Sequence, residues 1–211
     1  MTDIISSSHE NTGGQPVPPA STGYAATTTG ISNEKLAMWV FLGSECLLFG
    51  GLISTYLLYK TKTNGQLSPH DRYDIPFTSI SSFVLLMSSL TMVLAVSAIM
   101  RGDHKRMRTW LLTTALLGAV FVSGQVYEFT AFVKEGMGFT TSPASSAFYT
   151  LTGFHGVHVT VGIVMLISLV VLSLRERLPE NRPEVIEIIG LYWHFVDVVW
   201  IVIFTVVYLV K

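Results

Sequence analysis

Residues 191–210, LYWHFVDVVWIVIFTVVYLV, place a histidine and an aspartate within a long run of apolar and aromatic residues. Its length matches the roughly 20 residues that an α-helix needs to cross a bilayer. His194 and Asp197 lie three positions apart, so they share one face of that helix. An ionisable group at membrane depth is costly, which makes this pair a first candidate for function.

The composition of the whole chain agrees with a membrane protein. Half of the 211 residues are hydrophobic and 13% are charged, whereas soluble domains carry about 25% charged residues. The formal net charge is −1, so no basic surface indicates a nucleic-acid partner. The chain has one cysteine, Cys46, which excludes an intrachain disulfide and any multi-cysteine zinc or iron–sulfur site.

Five apolar segments predict five transmembrane helices in an all-α integral membrane protein. Strands do not produce apolar runs of this length, and only helices or closed barrels satisfy the backbone in lipid. The predicted helices lie near residues 36–60, 77–100, 109–133, 146–174 and 186–210. Together they form a predicted membrane domain at 35–211.

Residues 1–34 differ from the rest of the chain. They are rich in Ser, Thr, Gly and Pro, and such a composition cannot bury enough apolar surface to fold alone. We therefore expect a disordered tail. It has no long apolar run and no cation near its start, so it does not resemble a signal peptide.

The basic residues predict the orientation. With the N-terminus in the cytoplasm, the inner segments hold eight of them and the outer segments five. The inner set is Lys35, Arg101, Lys105, Arg106, Arg108, Arg175, Arg177 and Arg182, and the outer set is Lys60, Lys62, Arg72, Lys134 and Lys211. The excess on one side favours a cytoplasmic N-terminus and an external C-terminus.

Seven polar side chains are predicted at membrane depth. Six of them form three pairs with a spacing of three, which places each pair on one helix face. Asp197 could accept a hydrogen bond from His194 or from a histidine of the fourth helix. The set is Glu45, Gln125, Glu128, His155, His158, His194 and Asp197.

Three interpretations of these side chains compete. Histidines can ligate haem or a metal, but two of the three lie on one turn instead of on facing helices. Buried carboxyl groups can relay protons, but no continuous chain of such groups is evident. Hydrogen bonds between helices, which hold the bundle together, are the favoured interpretation.

Small residues add a packing prediction. Glycines let helix backbones approach closely in membranes, and we expect this of Gly43, Gly50, Gly51, Gly153 and Gly156. The serines of the second helix, Ser79, Ser81, Ser82, Ser88 and Ser89, are assigned to the same role.

Several motifs resemble subunit III of the haem-copper respiratory oxidases, the cytochrome c oxidases and their quinol-oxidising relatives. YWHFVDVVW at 192–200 resembles the signature of that family's last helix, and TGFHGVHVTVG at 152–162 resembles its companion in the preceding helix. The serine and glutamate at 44–45, GDHK at 102–105 and the Gln125/Glu128 pair also match, in family order. The resemblance spans about 32–211 and fits the short, five-helix bacterial form.

The resemblance implies a V-shaped bundle, with a cleft for phospholipid, in the bacterial cytoplasmic membrane. It implies a non-catalytic chain without haem or copper, which are carried by partner subunits of an oxygen-reducing, proton-pumping complex. The chain would contact subunit I directly, alongside subunit II and small subunits, and would support assembly, proton uptake and turnover stability. It implies no catalytic, cofactor-binding or metal-binding residue in this chain.

The alternatives are a quinol oxidase subunit III and, more remotely, a membrane haem cytochrome b. A small transporter would call for broken helices and internal repeats, which are not evident.

Overall fold

The structure is a computed structural model, and it describes residues 32–62, 75–134, 136–175 and 183–209. Residues 1–31 of the predicted tail lie outside the described residues, as do most of the connection after Lys62 and the segment that holds Arg177 and Arg182.

Five helices account for nearly all of the described chain. They are α1 (Asn33–Lys62), α2 (Ile75–Met100), α3 (His104–Lys134), α4 (Pro143–Leu174) and α5 (Pro183–Phe204), and a π-helical segment, Thr205–Leu209, continues α5. Each helical stretch is long and apolar enough to cross a membrane. The predicted all-α class, with five helices of membrane-spanning length, is confirmed for the described residues.

All five helices begin a few residues before the predicted starts, and in α3 and α4 polar residues cap the earlier start. The Asp103 carboxylate accepts a hydrogen bond from the Arg106 backbone amide at 3.0 Å, so α3 begins at His104 instead of near 109. The Ser142 hydroxyl accepts from the Ser145 amide at 3.1 Å, and Pro143 stands in the first turn of α4. Both are ordinary helix starts, which hydropathy alone does not detect.

The helices pack as a ring of four with a fifth on its side. Among the described residues, α2 packs on α3 and α5, α3 packs on α4, and α4 packs on α5. Helix α1 packs on α4 and α5, and its fully buried side chains are Leu42, Phe49 and Tyr56. These three follow a spacing of seven, so α1 contributes one narrow stripe to the core and leaves its other faces open.

The close approaches centre on Trp193. A Cβ atom added at Gly118 of α3 would come within 2.6 Å of its ring, and one added at Gly162 of α4 would come within 2.8 Å. A Cβ at Gly156 would meet the Gln125 amide at 2.7 Å, so the packing prediction for Gly156 is confirmed.

The packing prediction is wrong for the other glycines. A Cβ at Gly43, Gly50, Gly51 or Gly153 would have no described atom within 4 Å beyond the helix itself. These four positions face outward, and a glycine gives no sign in the sequence of which way it points.

Candidate functional site

His155 lies in an aromatic enclosure built by four helices. Its ring stacks on Trp200 of α5 at a centroid distance of 4.9 Å, and the edges of Phe121 of α3 and Phe49 of α1 complete the enclosure. The side chain is fully buried, and neither ring nitrogen has a hydrogen-bond partner among the described residues. His155 therefore packs as an aromatic ring at the helix junction.

His158, one turn further along α4, pairs with Glu45 of α1. The distance from His158 Nε2 to the Glu45 carboxylate is 3.1 Å, and both side chains are 14% exposed. His158 Nδ1 lies 2.8 Å from the Phe154 carbonyl oxygen, which as an acceptor places a proton on Nδ1. The two histidines share the ring of Phe49, at centroid distances of 6.4 and 5.2 Å, but their polar environments differ.

Gln125 and Glu128 of α3 bind different helices. The Gln125 amide donates to the Thr152 carbonyl oxygen of α4 at 2.8 Å, in the place that Gly156 leaves free. Glu128 accepts from the Thr78 hydroxyl of α2 at 2.8 Å and from the Tyr208 hydroxyl at 3.2 Å.

Tyr208 reaches Glu128 from the π-helical segment that follows α5. A π-helical turn holds one extra residue, so it rotates the side chains after it relative to a regular α-helix. The Tyr56 hydroxyl of α1 is buried and has no hydrogen-bond partner in the part of the chain that the structure describes.

His194 and Asp197 do not bond to each other. His194 Nδ1 lies 2.7 Å from the Ser89 hydroxyl of α2. Both Asp197 oxygens are buried without a hydrogen-bond partner within the described chain, and the Ser89 hydroxyl lies beside them without hydrogen-bond geometry. The expectation that Asp197 accepts from His194 or from a histidine of α4 is therefore not met in this structure, because Ser89 occupies the shared face.

Sequence reasoning missed the role of the α2 serines as partners of α5. The Trp193 indole donates to Ser88 at 3.0 Å, and the Trp200 indole donates to Ser82 at 2.9 Å. Together with Ser89 and His194, these contacts form a polar seam between α2 and α5. The sequence spacing does indicate this role. The two tryptophans are seven residues apart and the two serines six, so each pair is separated by about two turns along one face of its helix.

A groove of about 600 Å³ opens between α1 and α2 and has α5 as its floor. Its walls are apolar, with Trp39 on α1 and Val93, Val96 and Met100 on α2, and His194 reaches its floor. At its mouth, Lys35 Nζ lies 2.6 Å from the Glu187 carboxylate. The Ser32 hydroxyl donates to Glu184 beside this ion pair.

The polar residues thus lie in separate pairs instead of one centre. Each histidine has a different type of neighbour: an aromatic stack, a carboxylate or a hydroxyl. In the described ranges, no three His, Cys, Asp or Glu side chains come together as a metal site requires. The arrangement suits helix association within a membrane subunit.

These features define a class, a multi-pass membrane protein whose polar interior joins its own helices. The family described as cytochrome c oxidase subunit III matches residues 21–211. The chain is 44% identical over 191 residues to cytochrome c oxidase subunit 3 of Bacillus sp. (strain PS3), which covers 90% of this chain and 92% of that protein. This chain belongs to the cytochrome c oxidase subunit III family.

Other relatives differ in the oxidase that they are named for. Quinol oxidase subunit 3 of Bacillus subtilis (strain 168) is 41% identical over 174 residues, which cover 82% of this chain and 85% of that protein. Cytochrome c oxidase subunit 3 of the same organism is 39% identical over 178 residues, which cover 84% and 86%. The predicted resemblance is confirmed, and family membership makes the chain one subunit of a multi-subunit haem-copper oxidase.

Proposed function

We propose that this chain is the non-catalytic subunit III of a cytochrome c-oxidising, proton-pumping terminal oxidase. The observation that carries the proposal is the pairing of its polar interior: Glu45 with His158, Gln125 with α4, and Glu128 with α2 and Tyr208. Side chains used in this way hold helices in register. Haem and copper belong to the partner subunits, where they supply the oxygen chemistry.

The histidines support the absence of a redox centre in this chain. A haem bound by two histidines needs imidazole nitrogens that face each other across the bundle. His155 is enclosed by three aromatic rings, His158 is held by Glu45 and the Phe154 carbonyl, and His194 is held by Ser89. A haem would have to displace these neighbours.

The groove between α1 and α2 suits a phospholipid. Its apolar walls fit acyl chains, while Lys35 and Glu187 at its mouth match the phosphate and the ammonium of a zwitterionic headgroup. Trp39 at the same level is a typical interface residue. With the N-terminus in the cytoplasm of a bacterial cell, this mouth lies at the inner surface of the cytoplasmic membrane and the C-terminus lies outside.

The test is purification of the complex through a tag on this chain. We expect subunits I and II and small subunits to co-purify, with Soret absorption from the complex and none from this chain once it is separated. Oxidation of cytochrome c by the complex is expected. Oxidation of quinol alone would favour the second candidate, a quinol oxidase subunit III, which the 41% identity to such a protein supports. A Soret band on the separated chain would contradict both.

A supporting role in turnover predicts a particular effect of Glu45→Gln. The variant keeps a polar side chain beside His158 but loses the charge of the pair. We expect normal assembly and a normal initial rate of oxygen consumption, followed by progressive loss of activity over many turnovers.

The control is Glu34→Gln, at an exposed position on the same helix, which should retain wild-type activity throughout. An oxygen-electrode trace with a constant, wild-type rate for Glu45→Gln would contradict the proposed role of the pair.

A further inference from the structure

His194 connects the membrane groove to the interior of the bundle. Its ring lines the groove floor, together with Gly190 and Leu191 of α5. On the other side, its Nδ1 lies 2.7 Å from the Ser89 hydroxyl. One imidazole therefore has one nitrogen bonded to an interior hydroxyl, while the residue also lines the groove whose mouth holds Lys35 and Glu187.

Ser89 stands between this imidazole and a buried carboxyl group. The Asp197 side chain is 3% exposed, and its oxygens lack hydrogen-bond partners among the described residues. Ser89 neighbours this carboxyl group but does not form a hydrogen bond with it in this structure. A hydroxyl both donates and accepts, so it can rotate from one neighbour to the other.

The other titratable groups of the neighbouring helices have neighbours of their own. Lys35 of α1 pairs with Glu187 of α5, and Glu45 of α1 pairs with His158 of α4. His155 stacks on Trp200, and Glu128 of α3 bonds with Thr78 and Tyr208. No cation among the described residues forms an ion pair with Asp197, so a negative charge there is costly in the low-dielectric interior.

We propose that His194, Ser89 and Asp197 form a proton-exchange site, in which the groove delivers a proton through the imidazole and hydroxyl to the buried carboxyl group. The structure holds Ser89 against His194 and leaves Asp197 unbonded among the described residues, so the proposed relay requires the Asp197 carboxyl group to turn toward Ser89. In the proton-free state, His194 Nδ1–H then donates to Ser89, Ser89 O–H donates to the Asp197 carboxylate, and His194 Nε2 is free to accept.

Uptake of one proton reverses the direction of both hydrogen bonds. A proton from water or a headgroup at the groove binds His194 Nε2, His194 Nδ1 passes its proton to the Ser89 oxygen, and Ser89 passes its own to Asp197. The loaded state has a neutral carboxyl group that donates to Ser89, Ser89 donates to His194 Nδ1, and Nε2 carries a hydrogen. One proton is gained, no other bond changes, and the imidazole is neutral before and after.

This site is distinct from the supporting role proposed above, because the three groups that exchange the proton lie on α2 and α5, while α1 supplies only a wall of the groove. It gives this chain a site that binds one proton. With the proposed orientation, this site is reached from the cytoplasmic side. The paired groups Glu45/His158 and Lys35/Glu187 take no part.

The test is infrared spectroscopy of the purified oxidase complex during exchange from H2O to D2O. We expect a C=O band of a protonated carboxyl group that shifts in D2O and disappears in Asp197→Asn. In Ser89→Ala the band should remain, but its shift in D2O should be slower by about an order of magnitude, because the proton must cross an apolar gap. His194→Phe should slow it similarly.

Ser88→Ala is the matched control. Ser88 neighbours Ser89 on α2 and also bonds to a ring nitrogen of α5, that of Trp193, so its loss weakens the same seam. The control should exchange at the wild-type rate. Equal rates in Ser89→Ala and the wild type, or a band that persists in Asp197→Asn, would overturn the proposal. Since Ser89→Ala only removes one oxygen atom, it keeps the test open even if Asp197→Asn fails to assemble.

Discussion

At the scale of single residues, Trp193 is a fully buried side chain that joins several helices. Its indole donates to Ser88 of α2, while its ring lies against Gly118 of α3 and Gly162 of α4. One side chain of α5 therefore touches each of the other helices of the four-helix ring. Both glycines are required here for close approach, since a Cβ at either position would overlap the ring.

We expect Gly162→Ala to destabilise the bundle. The new Cβ would lie 2.8 Å from two Trp193 ring atoms, and overpacking of this kind costs about 1–3 kcal/mol. The intrinsic gain of alanine over glycine in a helix, about 1 kcal/mol, offsets part of that cost. Thermal unfolding of the purified protein should show a lower midpoint.

Gly153→Ala is the control on the same helix. Its Cβ would meet no described atom within 4 Å beyond the backbone of its own helix, so only the gain in helix propensity remains, and the midpoint should stay the same or rise. Equal destabilisation by both substitutions would mean that Trp193 moves aside without cost.

The sequence allowed the polar residues to be found but not their partners. Spacing places Gln125 and Glu128 on one face, yet one reaches α4 and the other α2 and Tyr208. A face about a third of a helix circumference wide borders two neighbours in a bundle. Which neighbour a side chain selects depends on helix rotation and on rotamers, and a single sequence specifies neither.

At the scale of helices, the C-terminal end of α4 is held by a side chain that the apolar pattern of the sequence places in a loop. Arg108 lies inside α3, and its guanidinium donates to the Ser173 hydroxyl at 2.7 Å and to the Ser173 carbonyl at 2.5 Å. A cation at a helix C-terminus is stabilised by the unpaired carbonyl groups there.

We expect Arg108→Ala to loosen the α3–α4 contact. A charge-assisted, partly buried pair of hydrogen bonds contributes about 1.5–3 kcal/mol. The free energy of unfolding should fall by an amount within that range, and protease cleavage at this end of the bundle should become faster.

The comparison for that substitution is Arg106→Ala, two residues away. Arg106 is exposed, and its one ion pair among the described residues is with Asp103, at 3.2 Å on the surface. Such pairs contribute about 1 kcal/mol or less. A larger effect at Arg106 than at Arg108 would contradict the assignment of the α4 C-terminus to Arg108.

At the scale of the whole molecule, the number of helices and the family followed from the sequence because apolar length and signature motifs are local properties. The helix arrangement did not follow, since it depends on contacts across more than a hundred residues, such as those of Ser82 and Ser89 with α5. Helix α1 illustrates the point: it is apolar on all sides, and only the structure tells that a narrow stripe of it is buried.

Cys46 lies on the exposed side of α1, so we expect it to face the lipid. It stands thirteen positions beyond Asn33 in a helix of 30 residues, which is about 20 Å along the helix axis. A spin label on this single native cysteine, in the complex in a bilayer, should be accessible to oxygen and protected from a water-soluble relaxing agent.

A label at Lys62→Cys, in a Cys46→Ser background, should show the reverse, because Lys62 is exposed at the end of α1. Protection of Cys46 from both agents would mean that a partner helix covers this face.

The polar seam between α2 and α5 also bears on biosynthesis. Helices enter the membrane in the order of the chain, and α5, which packs on α1, α2 and α4, is the last of the five to leave the ribosome. Until then Ser82, Ser88 and Ser89 have no tryptophan or histidine of α5 to bind, and Trp193 has not yet joined Gly118 and Gly162. Helices α2, α3 and α4 can pack on one another before α5 arrives, but the ring stays open on the side that α5 closes. We therefore expect a chain that ends before residue 183 to be degraded faster than the complete chain.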